Sequence, residues 1–479
     1  MRVATMATVL LVPVALVWAA GAPTAAQGAP AAGPLRVHPS NPRYFTDGTG
    51  RAVLLVGSHT WPNLVDMGTT DPPPPFDFDG YLDFLAEHGH NFIRLWAWES
   101  TTWDTRGNRE QRRHHCAPQP YARTGPGKAL DGKPRFDLTK YDPAYFDRLR
   151  RRVEAAGQRG IYVSVMLFEG WAMQHSPGAW EGHPFHPKNN ANGIDGDANG
   201  DGKGLEVHEL ADPKVTAVQQ AYVRQTIDTV GDLDNVLYEI SNENHPPSTK
   251  WQYHIIGFIH RYEKKRPKQH PVGMTFQYKG GRNRDLFAGP ADWVSPNPST
   301  DVPKPYNYRD NPPPADGRKI VLTDTDHLWG IGGDYRWVWK SLLRGLNPIF
   351  MDPYDGKVLG LRHPENWPAL RRAMGDVLRL SRRMDLAAMT PQGDLASTGY
   401  CLANPAKEGA AYLVYLPEGG KATVDLSAAE GPMVAEWFDP KTGKTVRSGT
   451  ATGGARREFA APFEGDAVLY LTPSLRSES

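Results

Sequence analysis

The sequence predicts an α/β fold, namely a (β/α)₈ barrel followed by a small antiparallel β-sandwich. Between Arg51 and Asp352, short apolar runs typical of buried strands alternate with segments whose apolar residues have helical spacing. The connections 99–140 and 170–211 are long and polar, as expected where a barrel builds its site. Beyond residue 390, short strands recur at a spacing of about ten residues, which is typical of a sandwich.

Eight strands and five helices follow from these patterns. The strands are predicted at 51–57, 91–98, 161–168, 235–242, 272–276, 292–295, 319–323 and 347–351. The helices are predicted near 80–89, 143–157, 212–230, 250–264 and 365–384. Later strands are predicted at 411–416, 422–426, 433–438 and 467–471.

The sequence predicts four units along the chain, of which the first is a signal peptide. Arg2, the apolar stretch from about Val9 to Ala20 and the small residues after it predict a secretory signal peptide over 1–22. A transmembrane anchor is the alternative, but the run is short for a span. An Ala-, Gly- and Pro-rich disordered leader (23–34), the barrel (35–390) and the sandwich (391–479) complete the chain, which we expect to be secreted and extracellular.

Composition excludes some partners. The 54 basic and 53 acidic residues nearly balance, so the chain offers no strong electrostatic case for nucleic acid or for an anionic membrane. There are two cysteines, Cys116 and Cys401. Export permits a disulfide between them, and two buried free thiols fit the sequence equally well.

Glu243 is the most informative residue. It directly follows Asn242 at the end of the fourth strand, so it stands at the C-terminal rim of the predicted barrel. A Glu beside an Asn amide is what a glycosidase needs as general acid/base. The sequence therefore predicts sugar-cleaving chemistry at this rim.

The second carboxylate is predicted at the end of the seventh strand. Asp324 and Asp326 are two residues apart and point to the same side in an extended chain. Asp324 is slightly preferred as nucleophile because it follows the strand directly. Glu99 and Glu169, at other strand ends, are the reserve candidates.

Further polar and aromatic residues lie at or near strand ends. Arg94 lies within an apolar strand, where a charge must be paired or must serve a site. The rim residues that could stack on a sugar or bind its hydroxyls, together with Arg94 and Asn242, are His59, Trp61, Trp96, Trp98, Tyr278, His327 and Trp329.

Residues 195–206 match the calcium-loop pattern D-x-[DN]-x-[DN]-G-x₅-E in full. The predicted ligands of a structural Ca²⁺ are Asp195, Asp197, Asn199, the carbonyl of Asp201, and Glu206. The alternative is a flexible acidic loop without metal.

Several motifs resemble the apiosidase-like glycoside hydrolases of clan A, near glycoside hydrolase family 140. They are NPRYF (41–45), LVGSHTW (55–61), FIRLW (92–96) and, in a C-terminal domain of the type named for collagen binding, WFDPKTG (437–443). The resemblance covers about residues 35–475 and implies that Glu243 is the acid/base and that a strand-seven carboxylate is the nucleophile. Clan A enzymes usually carry Glu at the latter position, and this chain carries Asp.

The sequence thus predicts a secreted glycoside hydrolase acting on a plant or microbial polysaccharide. A carbohydrate-binding barrel without catalysis would keep the aromatic residues but would not need Glu243. An adhesion protein working through the C-terminal domain is the other alternative.

Overall fold

A computed structural model describes residues 29–104 and 113–474. Eight parallel strands form a closed barrel in sequential order, and the last strand pairs with the first. The strands are β1 (Gly57–His59), β2 (Phe92–Leu95), β3 (Tyr162–Glu169), β4 (Val236–Asn242), β5 (Val272–Thr275), β6 (Trp293–Ser295), β7 (Ile320–Asp324) and β8 (Asn347–Met351). The predicted α/β barrel is confirmed.

Helices surround most of this barrel. They are α1 (Phe78–Glu87), α2 (Pro143–Gln158), α3 (Pro213–Val230), α4 (Thr249–Glu263), α5 (Asn283–Ala288), α6 (Tyr335–Leu343) and α7 (Trp367–Ser381). Aspartates cap several of them: Asp142 and Asp212 accept hydrogen bonds from the first turns of α2 and α3, each of which begins with proline. The 24-residue connection from β6 to β7 contains no helix, so one of the eight expected strand–helix units is incomplete.

The first strand is shorter than predicted and begins at a glycine for a steric reason. At Gly57, a Cβ atom would lie 1.9 Å from the carbonyl oxygen of Phe92, so only glycine permits this approach of β1 to β2. Residues 51–56 of the predicted strand instead lead into the barrel, with an isolated bridge between Val53 and Phe45.

The long connections hold structure that their polar composition concealed. Antiparallel strands occupy 102–104, 113–117, 121–128 and 134–141, and the second of these pairs with a short strand at 66–68. The connection 170–211 contains only short helices, at 171–175, 179–182 and 205–208. Both connections lie on the C-terminal side of the barrel strands.

The C-terminal unit is built from antiparallel strands. They are β9 (Thr390–Pro391), β10 (Cys401–Asn404), β11 (Ala411–Leu416), β12 (Lys421–Asp425), β13 (Pro432–Asp439), β14 (Lys444–Thr452), β15 (Arg456–Ala460) and β16 (Ala467–Pro473). Six form one sheet in the order β9-β10-β11-β16-β13-β14, and β12 pairs with β15 in a separate ribbon.

Both faces of the six-stranded sheet are covered. One face packs on the barrel, where Phe438 lies 5.3 Å from Trp339 between ring centroids, and Tyr335 and Tyr415 both donate hydrogen bonds to Asp466. The other face forms a separate core with the β12–β15 ribbon. This arrangement gives the domain a clear packing role beside the barrel.

Part of the predicted leader contacts the barrel. The Ala31 N–H donates to the Gly157 carbonyl (2.9 Å), and the Tyr162 hydroxyl donates to the Ala32 carbonyl (2.7 Å). Residues 29–34 are therefore held against the barrel by backbone hydrogen bonds, where the sequence predicted disorder. The predicted signal peptide (1–22) and residues 23–28 lie outside the described residues.

Two other expectations concern the thiols and the membrane. Cys116 and Cys401 are free and buried, which selects the second of the two alternatives for the cysteines. In the described ranges, the helices are all too short or too polar to cross a bilayer.

Candidate active site

A buried guanidinium lies inside the barrel. Arg94 of β2 donates to both carboxylate oxygens of Glu239 on β4, at 2.9 and 2.5 Å, and its Nη1 donates to Asp324 of β7 at 3.0 Å. Its Nη2 also donates to Asn242 Oδ1 at 2.6 Å. Arg94 thus joins three strands, and its five N–H groups all face hydrogen-bond acceptors.

Asp324 is enclosed by donors on every side. His59 Nε2 lies 2.9 Å from Oδ2, and the backbone N–H of Asp326 donates to Oδ1 at 2.9 Å. Trp96 Nε1, which can only donate, bonds His59 Nδ1 at 2.9 Å, so the His59 proton sits on Nε2 and points at Asp324. Burial alone raises the Asp324 pKa, but His59 and Arg94 outweigh it and hold that pKa below the usual range.

Asp326 has a different environment, although it is only two residues away. Its closest cationic contact, with Arg94 Nη1, is long at 3.5 Å. Burial, followed by the negative charge of Asp324, raises the pKa of Asp326 to about 6. Asp326 lines the open cleft, so its carboxylate is the one from β7 that a substrate can reach.

Glu243 follows β4 directly and faces the same cleft. Its φ of 43° lies in the left-handed region, which a non-glycine residue rarely occupies. Within the described residues, none donates a hydrogen bond to its carboxylate. Burial and then the charge of Asp326 raise the Glu243 pKa well above its usual range, although Arg94 partly opposes this.

Asn242 and His327 stand between the two carboxylates. Because Arg94 is purely a donor, the Asn242 atom that it contacts must be the oxygen. The same oxygen accepts from His327 Nε2 at 3.1 Å, and His327 Nδ1 contacts the Ser295 hydroxyl at 2.7 Å. Burial and then Arg94 lower the pKa of His327 to about 3, so this imidazole is neutral. The Asn242 amide nitrogen has no acceptor within the described residues, although Asn242 is buried and is not among the residues that line the cleft.

The cleft has a volume of about 870 Å³ and opens at the C-terminal ends of β4 to β8. The predicted site residues that line it are Glu243, Asp326, Tyr278, His327 and Trp329. Asp324, His59 and Arg94 are not among the lining residues, and Asp324 accepts a hydrogen bond from the Asp326 backbone N–H.

Three predicted sugar-stacking residues are core residues instead. Trp61 packs against Trp96, Trp98 and other indoles with centroid distances of 5.3 and 5.4 Å to these two. All three are buried, and none of them is among the residues that line the cleft. The insertions after β1 and β2 bury this part of the rim.

Glu239 is a site residue that the sequence analysis did not single out. A carboxylate inside the apolar run of β4, matching the arginine inside β2, was the signal that could have identified it. The reserve candidates Glu99 and Glu169 lie outside the cleft lining. Glu99 contacts His183 and His208, and Glu169 accepts from the backbone N–H groups of Trp171 and Ala172.

The 195–206 loop brings part of its predicted ligand set together. One oxygen each from Asp197, Asp201 and Glu206 lies within 4.8 Å of the others. Asn199 Nδ2 donates to Glu206 Oε1 at 2.5 Å, and Asp195 Oδ1 accepts from the Asp197 N–H at 3.1 Å. A short 3₁₀ helix, residues 205–208, follows the loop. The carboxylate and amide oxygens of this set suit a hard divalent cation.

Two family models match parts of the chain. Residues 111–279 match "Domain of unknown function (DUF6298)", and residues 392–472 match "Putative collagen-binding domain of a collagenase". No curated protein matches the sequence.

Solved structures resemble the chain over most of its length. One, titled "Glycoside hydrolase", is 12% identical with a TM-score of 0.57 and covers 93% of this chain and 98% of its own. A glycoside hydrolase family 5 structure from Bacteroides vulgatus ATCC 8482 is 14% identical with a TM-score of 0.60, covering 93% and 94%. At these identities the likeness shows the fold, a barrel with an attached β domain.

We propose that the 195–206 loop binds a structural Ca²⁺. Ca²⁺ at 100 times the Kd should raise the free energy of unfolding of chelator-treated protein by about 2.7 kcal/mol if only the folded state binds. The thermal unfolding midpoint should rise with it. Glu206→Gln should abolish this shift, because it removes the bidentate ligand at the twelfth position. An unchanged midpoint, together with no metal by elemental analysis, would leave the acidic loop without an ion.

Proposed function

We propose that this protein is a secreted glycoside hydrolase acting on a polysaccharide, with Glu243 as general acid/base and Asp326 as the second catalytic carboxylate. One observation carries the proposal. Two carboxylates face one cleft at the C-terminal rim of the barrel, and their surroundings differ so that one holds its proton more firmly than the other.

The chemistry follows from that difference. As the pH rises, Asp326 ionises before Glu243, so an ionised Asp326 and a protonated Glu243 coexist, and Glu243 can donate its proton to the glycosidic oxygen as the bond breaks. Asp326 then attacks the anomeric carbon in a retaining enzyme or activates water in an inverting one. Asn242 and Tyr278 stand beside Glu243 and can bind hydroxyl groups of the sugar.

The choice of Asp326 revises the slight sequence-based preference for Asp324. Asp324 is committed to Arg94 and His59 and has no free face, whereas Asp326 lines the cleft. Asp324 is better described as a positioning residue, since its Oδ1 accepts the Asp326 backbone N–H.

The likeness to solved glycoside hydrolases and the clan A motifs both support this proposal. The finer resemblance to apiosidase-like enzymes is part of the proposal too, and it rests on the order of the motifs along the chain. The covered faces of the β domain support an accessory role for it, beside a barrel that carries the reaction.

Substitution of the carboxylates separates these roles. Glu243→Gln and Asp326→Asn should each keep the wild-type unfolding midpoint and lower turnover on the true substrate by about 10²–10⁴-fold. Asp324→Asn should lower stability as well, by about 1–3 kcal/mol, because it weakens the buried hydrogen bonds that Asp324 accepts from Arg94 and His59, while Glu239 still neutralises Arg94. The measurements are initial rates on a polysaccharide panel and thermal unfolding, with exposed Glu408→Gln as the matched control.

Chemical rescue then identifies the nucleophile. Azide should restore bond cleavage to Asp326→Ala, and the anomeric configuration of the glycosyl azide gives the stereochemical course. Wild-type rates in Glu243→Gln would remove the proposed acid/base, and rescue of Asp324→Ala alone would return the role to Asp324.

The pH dependence of kcat/KM should report both carboxylates. Activity should fall as pH drops through about 6, because Asp326 then gains a proton, and should fall again at alkaline pH as Glu243 loses its own. Residual activity of Glu243→Gln should lose only the alkaline limb. An optimum near pH 4 in the wild type would contradict this assignment, since Asp326 would then be protonated.

A further inference from the structure

The cleft carries positive charge around the two catalytic carboxylates. Its permanently charged cations are Lys279, Arg282, Arg309 and Arg362. Besides the catalytic pair, its lining in the described structure includes one acid, Asp334, whose carboxylate accepts the Arg336 N–H as the cap of α6. The whole chain has a formal net charge of only +1, so this concentration of cations is local.

Two of these cations have no anionic partner. Arg282 forms a bidentate pair with Asp301, and Arg309 lies 3.6 Å from Asp310. Within the part of the chain that the structure describes, Lys279 and Arg362 form no ion pair. Both side chains are exposed, so solvent or a ligand must supply their counter-charge.

Both unpaired cations lie on cleft-lining loops that follow barrel strands. Lys279 follows β5, the neighbour of the strand that carries Glu243, and Arg362 follows β8, the neighbour of β7. Lys279 has a φ of 53° and its ammonium group lies 5.3 Å from the Tyr278 ring centroid, while Arg309 lies 5.5 Å from that of Trp329. Tyr278 and Trp329, two aromatic residues of the cleft, therefore each have a cation beside them.

We propose that the cleft is built for an anionic saccharide, one that carries carboxylate or sulfate groups. This inference rests on the proposed glycosidase function and names its substrate class. A neutral sugar would leave Lys279 and Arg362 without partners, whereas an acidic one would gain charge-assisted hydrogen bonds from them. Mutual repulsion among the cations would also fall when the anion binds.

The test compares acidic polysaccharides with their neutralised forms. Catalytically impaired Glu243→Gln protein is titrated with uronate-rich and sulfated polysaccharides, with the same polymers after carboxyl reduction or desulfation, and with neutral polysaccharides. We expect binding to at least one acidic polymer, weakened about tenfold or more when its charge is removed and weakened by added salt. Loss on carboxyl reduction identifies uronate, and loss on desulfation identifies sulfate.

Variants show whether the cleft cations cause that preference. Lys279→Gln and Arg362→Gln should each weaken binding of the acidic polymer about tenfold. In wild-type background they should raise KM more than they lower kcat. Lys264→Gln, an exposed cation at the end of α4 outside the cleft, is the matched control and should change neither.

Two results would overturn the inference. The first is equal binding of acidic polymers and of their neutralised forms. The second is the absence of binding to every acidic polymer, whether or not neutral polysaccharides bind. Cleavage of a neutral polysaccharide by the wild type would then leave the glycosidase proposal standing without an anionic substrate. Charge-dependent binding without any cleavage would instead favour a carbohydrate-binding barrel.

Discussion

One charge inside the barrel organises the site. A guanidinium cannot lose its proton in a protein, so Arg94 must be neutralised wherever the fold buries it. Glu239 and Asp324 provide that charge from opposite strands, and Asn242 accepts the remaining Nη2 donor. These partners largely neutralise the charge of Arg94. Asp326 and Glu243 therefore face the cleft with little stabilisation of their ionised forms by a nearby cation. Burial is the main cause of the raised pKa of both carboxylates, a neighbouring carboxylate adds to it, and Arg94, whose contact with Asp326 is long at 3.5 Å, only partly opposes it.

Backbone geometry places the reactive groups on that foundation. Glu243 comes directly after the last residue of β4, in a left-handed conformation whose cost is about 1–3 kcal/mol. Because of this conformation, the Glu243 side chain does not follow the alternating directions of the strand and instead faces the cleft. Asn242 remains in the barrel strand and bonds Arg94 and His327. On β7, Asp324 ends the strand and caps the short helix that carries Asp326. Glu243 and Asp326 thus lie one and two residues beyond Asn242 and Asp324, the residues that bond Arg94.

The sequence predicted what depends on periodicity and missed what depends on three-dimensional contact. Eight strands, the helices α2 and α3 and the position of Glu243 were readable because alternation, helical spacing and Asp-Pro caps are local signals. The burial of Trp96 and Trp98 was not readable, because it results from insertions folding back over β1 and β2. The proposed change of the role from Asp324 to Asp326 has a related reason. Distance from the strand end was visible in the sequence, but the pairing of Asp324 with Arg94 and His59 was not.

Burial beside a largely neutralised Arg94 leaves Glu243 and Asp326 with unequal proton affinities. Carboxyl-selective ¹³C NMR of protein labelled at Glu and Asp side chains measures this directly. We expect a Glu resonance that titrates well above the usual 4.5 and disappears in Glu243→Gln, separate from that of Glu169, whose pKa burial raises to about 8, and an Asp resonance near pH 6 that disappears in Asp326→Asn. Titration of both groups below about pH 5, as for ordinary solvated carboxylates, would contradict it.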